Sequence, residues 1–341
     1  MLGRSEDVEV LRLLYAEAAR PAGDLPPWQP FLQALATLTR AQSAALVIEA
    51  AGIQHVFATT DDFPLPARET LLRLRSDRLY AQDELDGDST PLRLLRAPLR
   101  GDRQAWLMIR HPFTEFRAAD GVQLSRLAPH LGTAVETWLS LARERAQARQ
   151  SASVAAALGA GWLWLDATGR VLGADDTARL ALAGPEGPTL GPGGRIEAPD
   201  PETAVRLRRA LDVAASGSDD MQVVPLAASP PFALAIHPGL AAPAPGIGPV
   251  LQAAIRHAPA AARLPLDGLA RSMGLSRSET RLAILLCDGS TLAEAAAQLG
   301  WTIETARSAS KRIYAQTETR GQGDLIRRMW AGADWFQGMA P

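Results

Sequence analysis

The sequence predicts a multi-domain α+β protein: antiparallel-sheet modules, a long connecting helix, and an all-α four-helix domain closing the chain. Three observations lead there. With 341 residues and 47% apolar composition, the chain can hold two or three domains with buried cores. Short apolar runs bounded by turn residues recur in the stretches 43–112 and 161–259 and read as strands. From residue 266 on, the apolar spacing turns helical and is punctuated by capping residues and glycines.

Residues 5–45 read as helices, "SEDVEVLRLLYAEAA" and "FLQALATLTRA", separated by the proline-rich break "GDLPPWQP". "SAALVIEA" and "IQHVFAT" read as two strands turning at Gly52. "LPARETLLRLRSDRLYA", residues 65–81, reads as a further helix. "LRLLRAPLR" and "QAWLMIRHP" read as a strand pair joined by Gly101 and Asp102. The order over residues 1–117 resembles a GAF- or PAS-type domain.

A long helix follows over residues 118–157. Within it Leu124, Leu127, Leu131, Ala134, Trp138 and Leu141 step by 3, 4, 3, 4 and 3, an a/d-type seam. Such a seam fits a helix packed on its own domain, and it fits a homodimer interface that also links two modules. Dimerisation is the expectation carried forward.

Residues 158–259 form the next module. "GWLWLDATGRVLGADDTARLALAG" reads as strand, tight turn at Thr168 and Gly169, strand, then a helix capped by Asp175 or Asp176. "MQVVPLA", "PFALAIHPG" and "PVLQAAIRHAP" supply three more strands. "LGPGGRIEAPD" and "GLAAPAPGIGP" read as loops, since their glycines lack the Lys-Ser/Thr of a phosphate loop. This region resembles the opening of a PAS domain, with Asp166, Gly169, Arg170 and Val171 in place and Asp175 where an Asn commonly stands.

Composition excludes several classes. A single cysteine, Cys287, leaves no internal disulfide framework and no multi-cysteine metal site, and its helical neighbours make it a buried structural thiol. The five histidines show no ligand spacing, so neither metal nor other cofactor is expected. The N-terminal residues carry acids ahead of their apolar positions, unlike a signal peptide. The longest apolar run has 12 residues, Val154 to Leu165, too few for a bilayer. A cytoplasmic chain with no membrane partner is the expectation. No nucleophile elbow, lysine-bearing phosphate loop or HExxH occurs, and the Asp pairs at 61–62, 175–176 and 219–220 stand at turns or helix starts. No catalytic residue and no enzyme activity are expected.

Residues 264–335 carry the chemistry. "SRSETRLAILLCDG" opens with Ser276 as N-cap and Glu279 three residues on, a capping box, and stops at Gly289. "TLAEAAAQLG" is a second helix, capped by Ser290 or Thr291 and closed by Gly300. Thr302 caps "IETARSASKRIYAQT", and "GQGDLIRRMWAGA" follows as a fourth helix. Net charge is −2 overall, yet residues 303–330 hold six bases against three acids, +3 locally. The chain's one lysine, Lys311, lies there beside Arg307 and Arg312. At about 100° per residue, Ile303, Ala306, Ser310, Ile313, Tyr314 and Thr317 share one face, and Arg307, Ser308, Lys311, Arg312 and Ala315 the opposite one. Two short helices with a glycine turn, the second cationic outside, form a helix-turn-helix pattern.

Residues 274–328 resemble the DNA-binding domain of LuxR-type transcriptional regulators. The opening pattern LTxxExxVLxLLAxG is met by Leu275, Ser276, Glu279, Leu286 and Gly289. The scaffold helix matches at Glu294, Ala296, Leu299 and Gly300, the recognition helix at Thr302, Thr305, Ala306, Arg307, Ile313 and Tyr314. "TETRGQGDLIR" matches the closing pattern TxTRxQxxLIR. The resemblance implies a regulator whose helix 303–317 reads the major groove of double-stranded DNA. Arg307, Lys311 and Arg312 would reach bases or phosphates, with Ser308, Ala309 and Ala315 small enough for close approach. Thr302 and Thr305 would meet a phosphate at the helix N-terminus, and Arg320 a second one.

The chain departs from the family pattern at Ala306, Ser310, Ala309 and Arg277, where Val, an apolar residue, a larger residue and Pro are usual. The first two imply a recognition helix held less firmly, by about 1–3 kcal/mol. An alternative reading keeps the domain as a protein-interaction module docking on RNA polymerase or another regulator. The residues name no small-molecule ligand for the sensor-like half.

Overall fold

The computed structural model describes residues 2–21, 26–85, 90–183, 188–228, 231–241 and 248–336. The chain divides into two compact units, Met1–Gln147 and Ala148–Pro341. Both are mixed α and β with antiparallel sheets.

The first unit opens with α1 (Leu2–Ala19) and α2 (Gln29–Thr39), then β1 (Ser43–Ala50) and β2 (Ile53–Ala58). After these come α3 (Arg68–Arg73), β3 (Leu79–Ala81), β4 (Leu92–Pro98) and β5 (Gln104–Arg110). The sheet order is β2-β1-β5-β4-β3, with every neighbouring pair antiparallel. β1 is buried over seven of its eight residues because both faces of the sheet are covered. That is why "SAALVIEA" lacks the polar alternation of a half-exposed strand. Leu46, Ile48, Leu95, Leu107 and Ile109 join a cluster with Leu14, Phe31 and Leu35 of the first two helices. On the opposite face Val47, Leu94, Trp106 and Met108 pack with Phe63, Leu71 and Tyr80.

The helix expected over 65–81 is cut to six residues. Arg96 binds the carbonyls of Leu72 and Leu74, and its own carbonyl accepts from Asp77 N at 2.9 Å. Those bonds pull the chain out of the helix and through a left-handed turn at Asp77 (φ 57°) into β3. A distant arginine thus overrides a local helical pattern.

α4 (Ala118–Ala157) has the bounds its sequence predicts. Its a/d stripe, however, turns inward. Leu124, Leu127, Leu131 and Ala134 are buried in the first unit's own cluster. Trp138 packs between Trp28 and Phe57, at centroid distances of 5.9 and 5.6 Å, and Leu141 is half-buried. Four of the six positions read as a dimer seam are thus packed in the first unit's own core, while Trp138 and Leu141 stay partly exposed. Gly132 lies so close to the end of β4 that an added Cβ would sit 2.8 Å from the Pro98 carbonyl oxygen.

The second unit contains β6 (Ala160–Leu165), β7 (Val171–Ala174), α5 (Asp176–Leu182), β8 (Thr189–Leu190), β9 (Ile196–Glu197) and α6 (Pro201–Ala215). β10 (Gln222–Ala228), β11 (Pro231–Ala241) and β12 (Val250–His257) complete its sheet, ordered β10-β11-β12-β6-β7 and antiparallel throughout. Counted from its first strand, each large sheet has the order 2-1-5-4-3. Of the two cap candidates, Asp175 is the one that caps α5, its carboxylate accepting from Ala178 N at 2.8 Å and from Trp162 N at 3.2 Å. The expected loop at 190–200 folds into the small β8–β9 hairpin. The loop expected at 239–249 lies largely outside the described residues. α6 was not foreseen, although Asp200 caps it and Pro201 starts it; Leu207, Ala210, Leu211 and Ala214 close the core beneath the sheet.

The closing segment holds α7 (Leu266–Met273), α8 (Arg277–Cys287), α9 (Leu292–Leu299), α10 (Ile303–Gln316) and α11 (Gln322–Ala331), with a 3-10 turn at Ala333–Phe336. Five helices therefore stand where four are expected. The addition is α7, whose Leu269 and Met273 pack with Leu282, Leu286, Ile313, Leu325 and Met329 in a separate cluster. No helix among the described residues is long and apolar enough to cross a membrane.

Candidate nucleic-acid interface

Three capped helices position the cationic face. Ser276 Oγ accepts from Glu279 N at 3.3 Å, and the Glu279 carboxylate accepts from Ser276 N at 3.1 Å. Both halves of the capping box are therefore formed. α9 repeats the device with Thr291 and Glu294, at 3.2 and 2.7 Å. It ends at Gly300 in the left-handed region (φ 69°), where a side chain would be strained. Trp301 N then donates to Ala296 O at 2.8 Å, closing the turn into α10.

Thr302 caps α10, accepting from Thr305 N at 3.2 Å, while the two hydroxyls lie 2.8 Å apart. The buried stripe of α10 is Ala306, Ala309, Ser310, Ile313 and Thr317. Arg307, Ser308, Lys311, Arg312 and Ala315 are exposed on the other side. Two positions differ from expectation. Ile303 is 40% exposed rather than packed, and Ala309 is buried rather than available to a groove. The cause is helical phase. The packed stripe is centred on 306, 309/310 and 313, which leaves the first turn outside it. Small side chains are needed there because α9 presents its own buried Ala295 and Ala296.

Ser310 brings no orphan polar atom into that face, since its hydroxyl donates to Arg307 O at 2.9 Å. Thr317 does the same to Ile313 O at 2.7 Å. Tyr314 is half-buried against the core, and burial pushes its phenol up.

The cations differ in their surroundings. Arg307 pairs with Glu304 one turn back. Arg312 Nε donates to Glu279 Oε1 at 2.9 Å, tying α10 to the start of α8. Sequence reasoning saw Glu279 only as a cap and missed this second role; the capping box was the visible signal. The Ser276 hydrogen bond chiefly, and Arg312 after it, hold the Glu279 carboxyl below the usual carboxylate range against the opposing effect of burial. Lys311 makes no ion pair among the described residues. Arg320 is exposed beyond the helix, its backbone N–H bonded to Asp324 at 3.2 Å. Thr302, Thr305, Arg307, Ser308, Lys311 and Arg312 are thus brought onto one exposed surface, with Arg320 past its C-terminal end.

Elsewhere one aspartate serves local structure. Asp166 gathers Thr168 N, Thr168 Oγ1 and Arg170 N at 2.7–3.0 Å in the β6–β7 turn. No group of three or more potential metal ligands is found among the described residues.

No protein-family model matches the chain, and no curated protein matches it. Among solved structures, a phage VqmA bound to DPO is 14% identical, with 58% of this chain and 93% of that one covered and a TM-score of 0.24. The Vibrio cholerae VqmA dimer in the absence of target DNA, described in connection with LuxR-type receptors, is 15% identical over 52% and 85% of the two chains, at a TM-score of 0.21. Escherichia coli DhaR(N) in complex with DhaL is 12% identical over 76% and 88%, at 0.31. All three TM-scores fall below 0.5.

Proposed function

We propose that this chain is a non-enzymatic, DNA-binding transcription regulator that acts as a homodimer in the cytoplasm. In this reading residues 264–335 are a LuxR-type helix-turn-helix domain and α10 lies in the major groove. The observation that carries it is the two-sided build of α10, small and buried on one side and cationic on the other. Arg307 and Arg312 offer forked donors suited to guanine or phosphate, and Lys311 a point charge. Thr302 and Thr305 present hydroxyls beside the free N–H groups of the helix N-terminus. Residues 1–117 and 158–259 are read as GAF/PAS-like modules that modulate the DNA-binding domain, with the helix over 118–157 as their link. Their shared 2-1-5-4-3 strand order supports treating them as related modules.

A second reading, docking on RNA polymerase or another regulator, draws support from one feature. Glu304 and Glu279 already pair two of the three cations, so the face is less positive than its arginines imply. Selection of genomic fragments on the purified full-length chain, followed by footprinting, separates the two. The DNA reading expects enriched fragments with two protected major-groove segments separated by about one helical turn of 10 base pairs or a multiple of it. No enrichment, together with capture of polymerase unaffected by salt, would replace it with the docking reading.

A further inference from the structure

The geometry points to a binding site for a small aromatic carboxylate in the second unit, between Arg256 of β12 and Trp330 of α11. A cavity of about 390 Å³ opens there, lined among others by Pro225, Phe232, Ala233, Arg256, His257 and Trp330. This is the lower end of ligand-pocket sizes, room for one or two fused rings with a short substituent.

The walls define the chemistry. Pro225 and Pro231 sit on strands β10 and β11 and carry no N–H, and Ala227 and Ala233 add only methyl groups, so much of the cup is apolar and stiff. Trp330 supplies a flat wall. It is braced from behind by Trp335, stacked at a centroid distance of 5.0 Å and an interplanar angle of 25°, whose Nε1 donates to Met329 O at 2.9 Å. The indole is therefore held in place before any ligand arrives.

One cation serves the cavity. The Arg256 guanidinium lies 5.8 Å from the Trp330 ring centroid and donates only a 3.3 Å hydrogen bond to the His257 carbonyl. It makes no ion pair among the described residues. Its remaining N–H groups match the fork of a carboxylate, a pairing that also fixes orientation. A cationic ligand would be repelled, and a phosphate dianion would meet one arginine and few other donors. A flat apolar body carrying a single carboxylate satisfies both the indole wall and the guanidinium.

Trp330 belongs to the helix that follows α10, so a ring stacked on it bears on the segment that holds the cationic face. An influence on DNA binding rests on the function proposed above; occupancy of the cavity does not.

Calorimetric titration of the full-length chain with benzoate and with indole-3-acetate, each beside its uncharged amide, tests the site without DNA. The expected result is saturable one-to-one binding of at least one acid, weaker by about tenfold or more for its amide. Arg256→Met should weaken the acid by a similar factor and Trp330→Leu should weaken both forms. Arg209→Met, at an exposed arginine of α6, should change neither. Failure of both acids to bind the natural chain saturably would overturn the proposal. So would equal binding of acid and amide, or a loss in Arg209→Met as large as in Arg256→Met.

Discussion

Glu279 illustrates how one side chain can hold two elements. One carboxylate oxygen completes the cap of α8, and the other accepts from Arg312 of α10. Because its folded carboxyl ionises below the ordinary value of 4.5, the stability it contributes is complete above that value and is lost as pH falls through the folded one. The difference in stability between the natural chain and Glu279→Gln should therefore shrink as pH drops below about 4.5; a difference that stays constant would contradict the assignment. Cys287 gives a second residue-scale prediction. Burial, helped by Asp288, pushes its thiol up to about 12. At pH 8 a thiol reagent should label the folded chain slower than the denatured chain by roughly a hundredfold or more. With one cysteine in the sequence, that signal has a single source.

At the scale of elements, what could be read from the sequence was what local chemistry decides. Ser276 with Glu279, Thr291, Gly300 and Thr302 each act within a few residues of themselves, and each cap is formed where expected. α3 failed because Arg96, more than twenty residues away, takes its carbonyls. α6 is signalled locally by Asp200 as its N-cap and Pro201 as its first residue. The phase of α10 depended on where α9 packs, which no local pattern of alanines and serines fixes. That phase is testable. Ala309→Leu should overpack the α9–α10 contact and cost about 1–3 kcal/mol in urea denaturation. Ala315→Leu, on the exposed face, should change stability by no more than about 0.5 kcal/mol. Equal effects would mean the helix is rotated from the orientation described. The a/d stripe of α4 teaches the same point: spacing showed that one face is apolar, and only the surrounding sheet and helices showed what covers it.

At the scale of the molecule, each unit carries its own core. A fragment ending at residue 147, within the polar stretch of α4, should fold alone and melt cooperatively, as circular dichroism would show; a non-cooperative melt would show that the first core depends on the second unit. The charge distribution is a whole-molecule property as well. Residues 303–330 carry +3 in a chain whose total is −2, so the positive balance around α10 is local and not a property of the whole chain.

The most direct test of the central claim is the salt dependence of DNA binding by the full-length chain, beside an Arg307→Ala/Lys311→Ala/Arg312→Ala variant shown to be folded. The account predicts selective binding whose logarithm falls linearly with that of salt concentration. In the variant, binding should be lost, or its slope reduced by about 0.9 for each phosphate contact removed. Binding that ignores salt, or that the triple substitution leaves unchanged, would contradict the claim that α10 reads DNA.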